Sequence, residues 1–447
     1  MSALRPGARI HILGVGGAGM SGLALLLHEM GAIVSGCDAR QSEATTRLTS
    51  EGITVTIGHD PAHLHDVDAV LWSPAINLSN NELVAAKAAN VELLSRSEVL
   101  RELGTSTKVI GVTGTHGKTT ATSMLTLISR AARRNDGRLL GAPVIGLGEN
   151  GHWGHDGLLM EVDESYGTFQ YLSPHALAVL NIEADHLDHY GNLETLESAF
   201  LQLIERTSGP VVVWGGDEGA RRVAQRAQRE VAIIGDGDYA VSNIVLDRRS
   251  SSFSLRTPDG VIEIALRVPG LHNVANAATV AALSLELGMP SAAVSEGLSQ
   301  FSGAPRRFQY LGRFRGADVF EDYAHLPGEI AATLEAAKSG GYDTITVVFQ
   351  PHRFTRTQNV GTAFGPALDL ADLVVVTDIY SSGEPPIEGV TGAGVANSVT
   401  AEHVFIPNML EVPVYLSRLD TIGDALFFLG AGDIASISSE LNLEETP

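Results

Sequence analysis

The 447 residues carry 52 acidic against 30 basic side chains, a formal net charge of −22, which excludes a polyanionic nucleic acid as partner and favours solubility. A hydrophobic fraction of 44% with 18% charged residues suits a globular chain of about two to four domains. The single cysteine, Cys37, excludes an intrachain disulfide, the opening stretch MSALRPGARI lacks a signal-peptide apolar region, and no apolar run approaches the roughly 20 residues of a membrane span, so a cytoplasmic protein with no membrane partner is expected.

Residues 9–13 read as a strand that runs into Gly14-Val15-Gly16-Gly17-Ala18-Gly19-Met20 and then an apolar helix to Met30. A second strand, 33–37, has Asp38 at its carboxyl end. This satisfies G-x-G-x-x-G in a strand–turn–helix context, with an acid about twenty residues on. Such a turn seats a pyrophosphate on a helix N-terminus and a ribose hydroxyl on a carboxylate. NAD and UDP-sugars both carry those two groups. Residues 69–72 read as a later strand, ending in Ser73-Pro74-Ala75. The composition of 103–107 reads as a turn before a fresh strand and sets the first domain boundary.

The stretch around which the chain is organised is IGVTGTHGKTTAT at 110–122. Residues 108–112 are apolar and β-branched, like a buried strand; after Lys118, Met124, Leu125 and Ile128 fall at helical spacing. Gly114 and Gly117 lie between, followed by Lys118 and Thr119. A turn of this kind presents backbone N–H groups and a helix N-terminus to an anion. Lys118 supplies a point charge for the β- and γ-phosphates, and the Thr119 hydroxyl a ligand for Mg²⁺. The strict phosphate-loop pattern wants a glycine where Val112 stands; Gly111 is one place earlier. NAD-dependent oxidoreductases lack such a loop, which argues against that reading of the first motif. Strand 158–162 precedes Asp163-Glu164-Ser165, and strand 176–182 leads into Glu183-Ala184-Asp185-His186-Leu187-Asp188-His189-Tyr190. Carboxylates and histidines at strand ends beside a phosphate loop are what a divalent metal needs.

Alternating segments across 241–268 predict antiparallel strands. Pro269-Gly270-Leu271-His272-Asn273 opens an Ala-rich helix to Leu287, and Gly303-Ala304-Pro305 is a linker that sets the second boundary. The last segment alternates strand and helix again: strand 319–323, then Ala324-His325-Leu326-Pro327 and a helix through Lys338; strand 344–349, then Gln350-Pro351-His352-Arg353-Phe354-Thr355-Arg356-Thr357; strand 373–380; and Gly430-Ala431-Gly432-Asp433. Histidines and arginines collected at strand carboxyl ends mark a site in an open α/β sheet.

Taken in order, these motifs resemble those of the Mur ligases, ATP-dependent enzymes that build the peptide stem of peptidoglycan, over essentially the whole chain. The resemblance rests on GVGGAGM at 14–20, TGTHGKTT at 113–120, EVDES at 161–165, NIEADHLDHY at 181–190, LHNVANA at 271–277, RRF at 306–308, DYAH at 322–325, FQPHRFTRT at 349–357 and GAGDI at 430–434. GVGGAGM, NIEADHLDHY and FQPHRFTRT point to the alanine-adding branch or the related muropeptide branch. Two positions depart from the alanine-adding pattern: Tyr166 replaces an aspartate of DESDGSF, and Leu326 replaces the second histidine of DYGHHP. Both bear on amino-acid specificity more than on reaction type.

The resemblance implies three α/β domains: a Rossmann-like UDP-sugar-binding domain at 1–104, a central ATP-binding phosphate-loop domain with a parallel sheet and a small antiparallel sheet at 105–304, and a Rossmann-like amino-acid-binding and nucleotide-completing domain at 305–447. It implies ligation of L-alanine to the lactyl carboxylate of UDP-N-acetylmuramate through an acyl phosphate, by a monomer or homodimer. Gly114, Thr115, His116, Gly117, Lys118, Thr119 and Thr120 would hold ATP, with His272 and Asn273 at the adenine and Arg306 or Arg307 with Asp322 completing the nucleotide site. Thr119 and Glu161 would ligate Mg²⁺ and His186 a second Mg²⁺, a ligand that hardness alone would not choose. Gly14, Gly16, Gly17, Gly19, Met20, Asp38 and Ser73 would hold the UDP part. Arg353 and Arg356 would take the amino-acid carboxylate with forked donors, and His325 and His352 would orient the amine or stabilise the acyl phosphate. The rival readings are a different amino acid or a preformed peptide as acceptor, and a non-catalytic nucleotide-binding homologue, against which the retained Lys118, Glu161, His186, Arg353 and Arg356 speak.

Overall fold

The computed structural model describes residues 4–73, 76–141, 143, 147–185, 187–235 and 237–444. Five parallel strands, β1 (Arg9–Leu13), β2 (Ile33–Asp38), β3 (Thr54–Ile57), β4 (Ala69–Trp72) and β5 (Glu92–Ser95), form the first sheet in the order β3-β2-β1-β4-β5. This is the doubly wound arrangement expected. Alternation along β1 divides its side chains between two cores. Ile10 and Ile12 join Leu23 and Leu27 of helix α1 (Ala18–Glu29), whereas Leu13 joins Cys37, Val70, Leu83 and Ala86 on the other face.

The expected turn at 103–107 is instead the end of a helix. Of the helices that follow, α2 spans Glu43–Ser50, α3 Asn81–Ala88 and α4 Arg96–Ser106. A reciprocal cap between Ser95 and Glu98 starts α4, and Val99, Leu100 and Leu103 bury its inner face. Burial of Leu103 holds Gly104-Thr105-Ser106 helical against their local turn preference, so the boundary expected after residue 104 falls inside the last turn of α4.

The second sheet holds β6 (Val109–Thr113), β7 (Asp136–Leu139), β8 (Gly151–His152), β9 (Gly157–Glu161), β10 (Ala176–Val179), β11 (Val211–Trp214) and β12 (Ala232–Ile234), in the order β12-β11-β10-β6-β9-β7-β8. Only β8, against β7, runs antiparallel. Central β6 is buried along its length, as a parallel strand covered on both faces must be. Helix α5 (Lys118–Ala131) follows it. Gly111 serves packing within β6: a Cβ there would lie 2.7 Å from Val162 Cγ2. One continuous hydrophobic cluster runs from Leu26 and Val34 of the first sheet's layer to Leu139, Met160 and Phe200 of the second. Side chains reinforce it: Asn150 Nδ2 donates to Ser21 Oγ at 3.2 Å, and the Trp153 amide to Glu29 at 2.7 Å.

Three further strands, β13 (Ala240–Leu246), β14 (Ser251–Thr257) and β15 (Gly260–Leu266), are joined by short hairpins in a small antiparallel sheet. The final sheet comprises β16 (Gln309–Phe314), β17 (Ala317–Asp322), β18 (Ile345–Phe349), β19 (Leu373–Val376), β20 (Glu402–Phe405) and β21 (Ala425–Leu429), ordered β16-β17-β21-β18-β19-β20. β16 is antiparallel to β17 and the remainder are parallel. The chain divides into two compact units: Met1–Asn243 with Phe253–Ile264 and Ala275–Phe301, and Ile244–Ser252 with Ala265–Val274 and Ser302–Pro447.

Candidate active site

In the first unit the phosphate-loop stretch forms as a tight turn between β6 and α5. Gly117 caps α5 with φ of 82°, a left-handed conformation that suits glycine, and a Cβ there would press on Asn276 Oδ1 at 2.8 Å. Asn181, at the carboxyl end of the β10 segment, holds the loop from outside. Its side-chain oxygen accepts from the His116 amide at 2.7 Å and its backbone oxygen from Thr115 at 3.2 Å. The Thr115 hydroxyl in turn accepts from the Glu183 amide at 2.8 Å. The first turn of α5 carries no side-chain cap and no acid. Its positive end is therefore available to an anion.

Lys118 Nζ lies in a nest of oxygen: Glu164 Oε1 and Oε2 at 2.9 and 2.8 Å, the Gly114 carbonyl at 2.8 Å and the Thr115 carbonyl at 3.2 Å. Burial works against its charge, but Glu164, Asp163 and Glu161 outweigh that and hold its pKa above the ordinary lysine value. Glu161 stands at the end of β9 and accepts from the Gly141 amide at 2.6 Å and from the Thr119 side chain. Burial raises its pKa. Three carboxylates around one lysine, with the Thr119 hydroxyl among them, leave excess negative charge, and an all-oxygen donor set of this kind fits Mg²⁺. His186 lies outside the described residues, as does the Tyr166 side chain.

At the Gly-rich turn of the first sheet, Asp38 accepts from the Gly16 amide at 3.0 Å and from Arg40 N at 3.2 Å. Gly14 and Val15 amides donate to the Cys37 carbonyl. Gly17 caps α1 without a side-chain bond, and Ser73 lies beside Gly14. Met20 is buried, and its Cγ lies 3.8 Å from where a Cβ on Gly17 would stand. Arg96, absent from the expected set, lies so close to Gly19 that a Cβ there would be 2.9 Å from its Nη2, and its charge also acts on Asp163. Arg96 thus spans the Gly-rich turn and the acidic loop after β9.

In the second unit the expected residues gather at the carboxyl ends of β17, β18 and β21. Asp322 is committed to the backbone: it accepts from Phe308 N and Ala324 N, both at 2.8 Å. Arg306 and Arg307 both lie over the Tyr323 ring, at 5.0 and 5.3 Å; the Arg306 guanidinium donates to the carbonyls of Gly430 and Gly432 at 2.6 and 3.1 Å, whereas Arg307 is 4.0 Å from Glu329. Of the two arginines, Arg307 is the one not spent on backbone carbonyls. Burial, and then the charge of Arg307, push His272 down to about 4. Asn273, in the first turn of the helix Leu271–Glu286, donates through Nδ2 to the Pro269 carbonyl at 2.7 Å.

His325 hydrogen-bonds the Tyr323 carbonyl through Nδ1 at 2.9 Å and meets His352 edge to face, with ring centroids 5.9 Å apart. His352 stacks on Tyr380 and pairs through Nδ1 with Arg356 Nη1 at 2.8 Å. Arg356 can only donate, so this Nδ1 is the acceptor and the imidazole is neutral. Burial and the Arg356 charge accordingly push His352 down to about 4. Arg353, exposed and with φ of 69°, precedes the helix Phe354–Val360, which carries Arg356. Glu384 receives the Thr355 amide and hydroxyl at 3.0 and 2.7 Å and orients that helix. Leu326 begins the helix Pro327–Ser339, and its amide donates to Glu329.

Three family models match this chain: the Mur ligase family, catalytic domain, at 9–107; the Mur ligase middle domain at 112–284; and the Mur ligase, glutamate ligase domain, at 306–432. A UDP-N-acetylmuramate–L-alanine ligase of Acidothermus cellulolyticus is 40% identical over 455 residues, covering 98% of this chain and 94% of that one. A solved UDP-N-acetylmuramate–alanine ligase of Thermotoga maritima is 32% identical, with 97% of each chain covered and a TM-score of 0.81. A murein peptide ligase of Psychrobacter arcticus shares the fold, with a TM-score of 0.70 at 23% identity over 98% of this chain and 100% of that one.

Proposed function

From the premise that this chain belongs to the Mur ligase family, we propose that it joins L-alanine to the lactyl carboxylate of UDP-N-acetylmuramate at the expense of ATP, in peptidoglycan precursor synthesis. The observation that carries this reading is the likeness to alanine-adding ligases over nearly the full chain, at 40% and 32% identity. ATP phosphorylates the substrate carboxylate, the amine of L-alanine attacks the acyl phosphate, and phosphate leaves as the amide forms. Little covalent chemistry falls to the protein, so its residues position groups and neutralise charge.

The start of α5 and Lys118 bind the phosphates of ATP. Thr119, Glu161 and His186 are the residues that would hold Mg²⁺, which when bound supplies charge neutralisation at the transferred phosphoryl group. Lys118 must turn from Glu164 toward the nucleotide. Arg307 and His272 lie together as candidates for the nucleotide. Arg353 and Arg356 take the carboxylate of L-alanine, while neutral His352 fixes the Arg356 fork. His325 keeps Nδ1 on the Tyr323 carbonyl, which directs Nε2 to the incoming amine. The Gly-rich turn with Asp38 and Ser73 holds UDP. The described residues include no helix long and apolar enough to cross a membrane; soluble substrates on both sides of the reaction fit a cytoplasmic monomer or homodimer.

Phosphate release with UDP-N-acetylmuramate and ATP, screened across L-amino acids and the preformed stem peptide, tests the proposal. L-Alanine should give the highest kcat/KM. A larger value for the peptide would move the chain to the muropeptide branch. ATP-dependent turnover with no acceptor in the panel would refute the reading altogether.

A further inference from the structure

Beneath the first sheet, on the face away from α1, five side chains that ligate soft or borderline metals converge. His11 lies on β1, Cys37 on β2, His59 just beyond β3, His63 on the short helical turn Pro61–Leu64, and Glu82 in the first turn of α3. The candidate ligand atoms of His11, Cys37, His63 and Glu82 all lie within 4.8 Å of one another. The sheet puts them there. In the β1–β2 register His11 faces Ser35 and Leu13 faces Cys37, so His11 and Cys37 project from the same face two residues apart.

Glu82 and Cys37 are fully buried and His11 is 2% exposed. The Glu82 carboxylate accepts from His63 Nδ1 at 2.6 Å, from His59 Nδ1 at 2.9 Å, from the Cys37 thiol at 3.1 Å and from the Asp60 amide at 3.1 Å. No lysine or arginine is paired with it among the described residues. A buried carboxylate surrounded by groups that are neutral in their free forms calls for a cation. His11 supplies the independent sign. Its Nδ1 bonds Ser35 Oγ at 2.9 Å, while its buried Nε2 has no hydrogen-bond partner and lies 3.9 Å from Glu82 Oε1. A ring fixed through one nitrogen, with the other aimed at a thiol and a carboxylate, is the usual posture of a metal-bound histidine.

We propose that His11, Cys37, His63 and Glu82 form a closed four-coordinate site for a zinc-class divalent ion. Sulfur, imidazole and carboxylate together select zinc over magnesium or calcium. Tetrahedral zinc would set the ligand atoms roughly 3.3–3.7 Å apart, inside the span observed. Binding replaces the Cys37 S–H bond with a metal–thiolate bond and releases that proton to solvent, and His63 binds as the neutral tautomer whose proton sits on the ring nitrogen away from the metal. His59 stays on the second carboxylate oxygen. The ion would clamp β1, β2, the 61–64 turn and α3 directly below the Gly-rich turn, because the Cys37 carbonyl carries the Gly14 and Val15 amides and Asp38 carries Gly16.

The test uses untagged, full-length protein, stripped with chelator and dialysed against zinc or cobalt(II). Stoichiometric zinc by mass spectrometry of the metal is expected, together with a thiolate-to-cobalt charge-transfer band. Cys37 is the chain's only cysteine, so that band reports this site and no other. Cys37→Ser should abolish the band, and His11→Gln should weaken zinc binding on the order of a hundredfold, with His65→Gln, an exposed neighbour, unchanged. Substoichiometric zinc in the wild type, or bound cobalt with no thiolate band, would overturn the proposal without reference to any variant's folding.

Discussion

Lys118 and Glu164 form a buried ion pair in which both carboxylate oxygens accept from one ammonium, at 2.9 and 2.8 Å. The lysine expected at the nucleotide phosphates is thus held by an acid three residues past β9. Glu164 thereby opposes the burial that works against the charge of Lys118.

Lys118→Ala should abolish ATP-dependent phosphate release, at a loss of a hundredfold or more, while leaving UDP-sugar affinity nearly intact. It also removes the ammonium that both oxygens of Glu164 accept from, in a side chain that is 0% exposed, so the variant should lose about 3–5 kcal/mol of stability. Adding Glu164→Gln should restore much of the melting temperature and none of the turnover. Calorimetry beside the phosphate assay separates the two effects; wild-type-like turnover in Lys118→Ala would sink the assignment.

Glu161 and Glu164 are three apart, yet the structure gives them different partners: Thr119 and the Gly141 amide for Glu161, Lys118 for Glu164. Glu161→Ala should therefore raise the Mg²⁺ concentration needed for half-maximal rate more than Glu164→Ala does. Titrating MgCl₂ against rate in both variants decides it, and the opposite ranking would mean that the metal register is wrong.

The parallel sheets were legible because strands buried on both faces read as continuous apolar runs bounded by glycine, as at 109–113. The loop residues were legible because Gly114, Gly117, Lys118 and Thr119 are adjacent in sequence. What the sequence hid was tertiary. Asn181 and Asn276 brace the phosphate loop from about 65 and 160 positions away, and Arg96 reaches the Gly-rich turn from the start of another helix. The cluster at His11, Cys37, His63 and Glu82 has no motif spacing, because two strands, a short helical turn and a helix bring it together. At 103–107 a turn-like composition was overridden by the burial of Leu103.

His352 offers a pH test. Its folded pKa is lowered from 6.5 to about 4 by burial, then by Arg356, His325 and Arg353, with Glu384 opposing. The unfolded chain therefore binds the proton first as pH falls. Stability should be fully present above about 6.5 and decline from there toward pH 4, by up to about 3 kcal/mol from this group. His352→Gln should flatten the melting temperature over that window; an unchanged slope would show that His352 is not held neutral.

The amino-acid pocket gives the sharpest test of the site. Arg356 donates to neutral His352 at 2.8 Å, and Arg353 stands one helical turn away, exposed at the head of the same helix. Two guanidinium groups hold an anion without engaging the amine that must attack. Arg356→Lys keeps the charge and loses both the fork and the bond to His352. The KM for L-alanine should rise about tenfold or more, with the KM for the UDP-sugar little changed. Leu326, where the alanine-adding pattern has a histidine, sits one residue from His325 and removes a polar group from this end of the sheet. The same kcat/KM panel run on Leu326→His should therefore shift the ranking of glycine, alanine and serine while leaving the Mg²⁺ requirement where it was. A rise in the UDP-sugar KM of Arg356→Lys, with the amino-acid KM unmoved, would assign these arginines to the sugar or phosphate side instead.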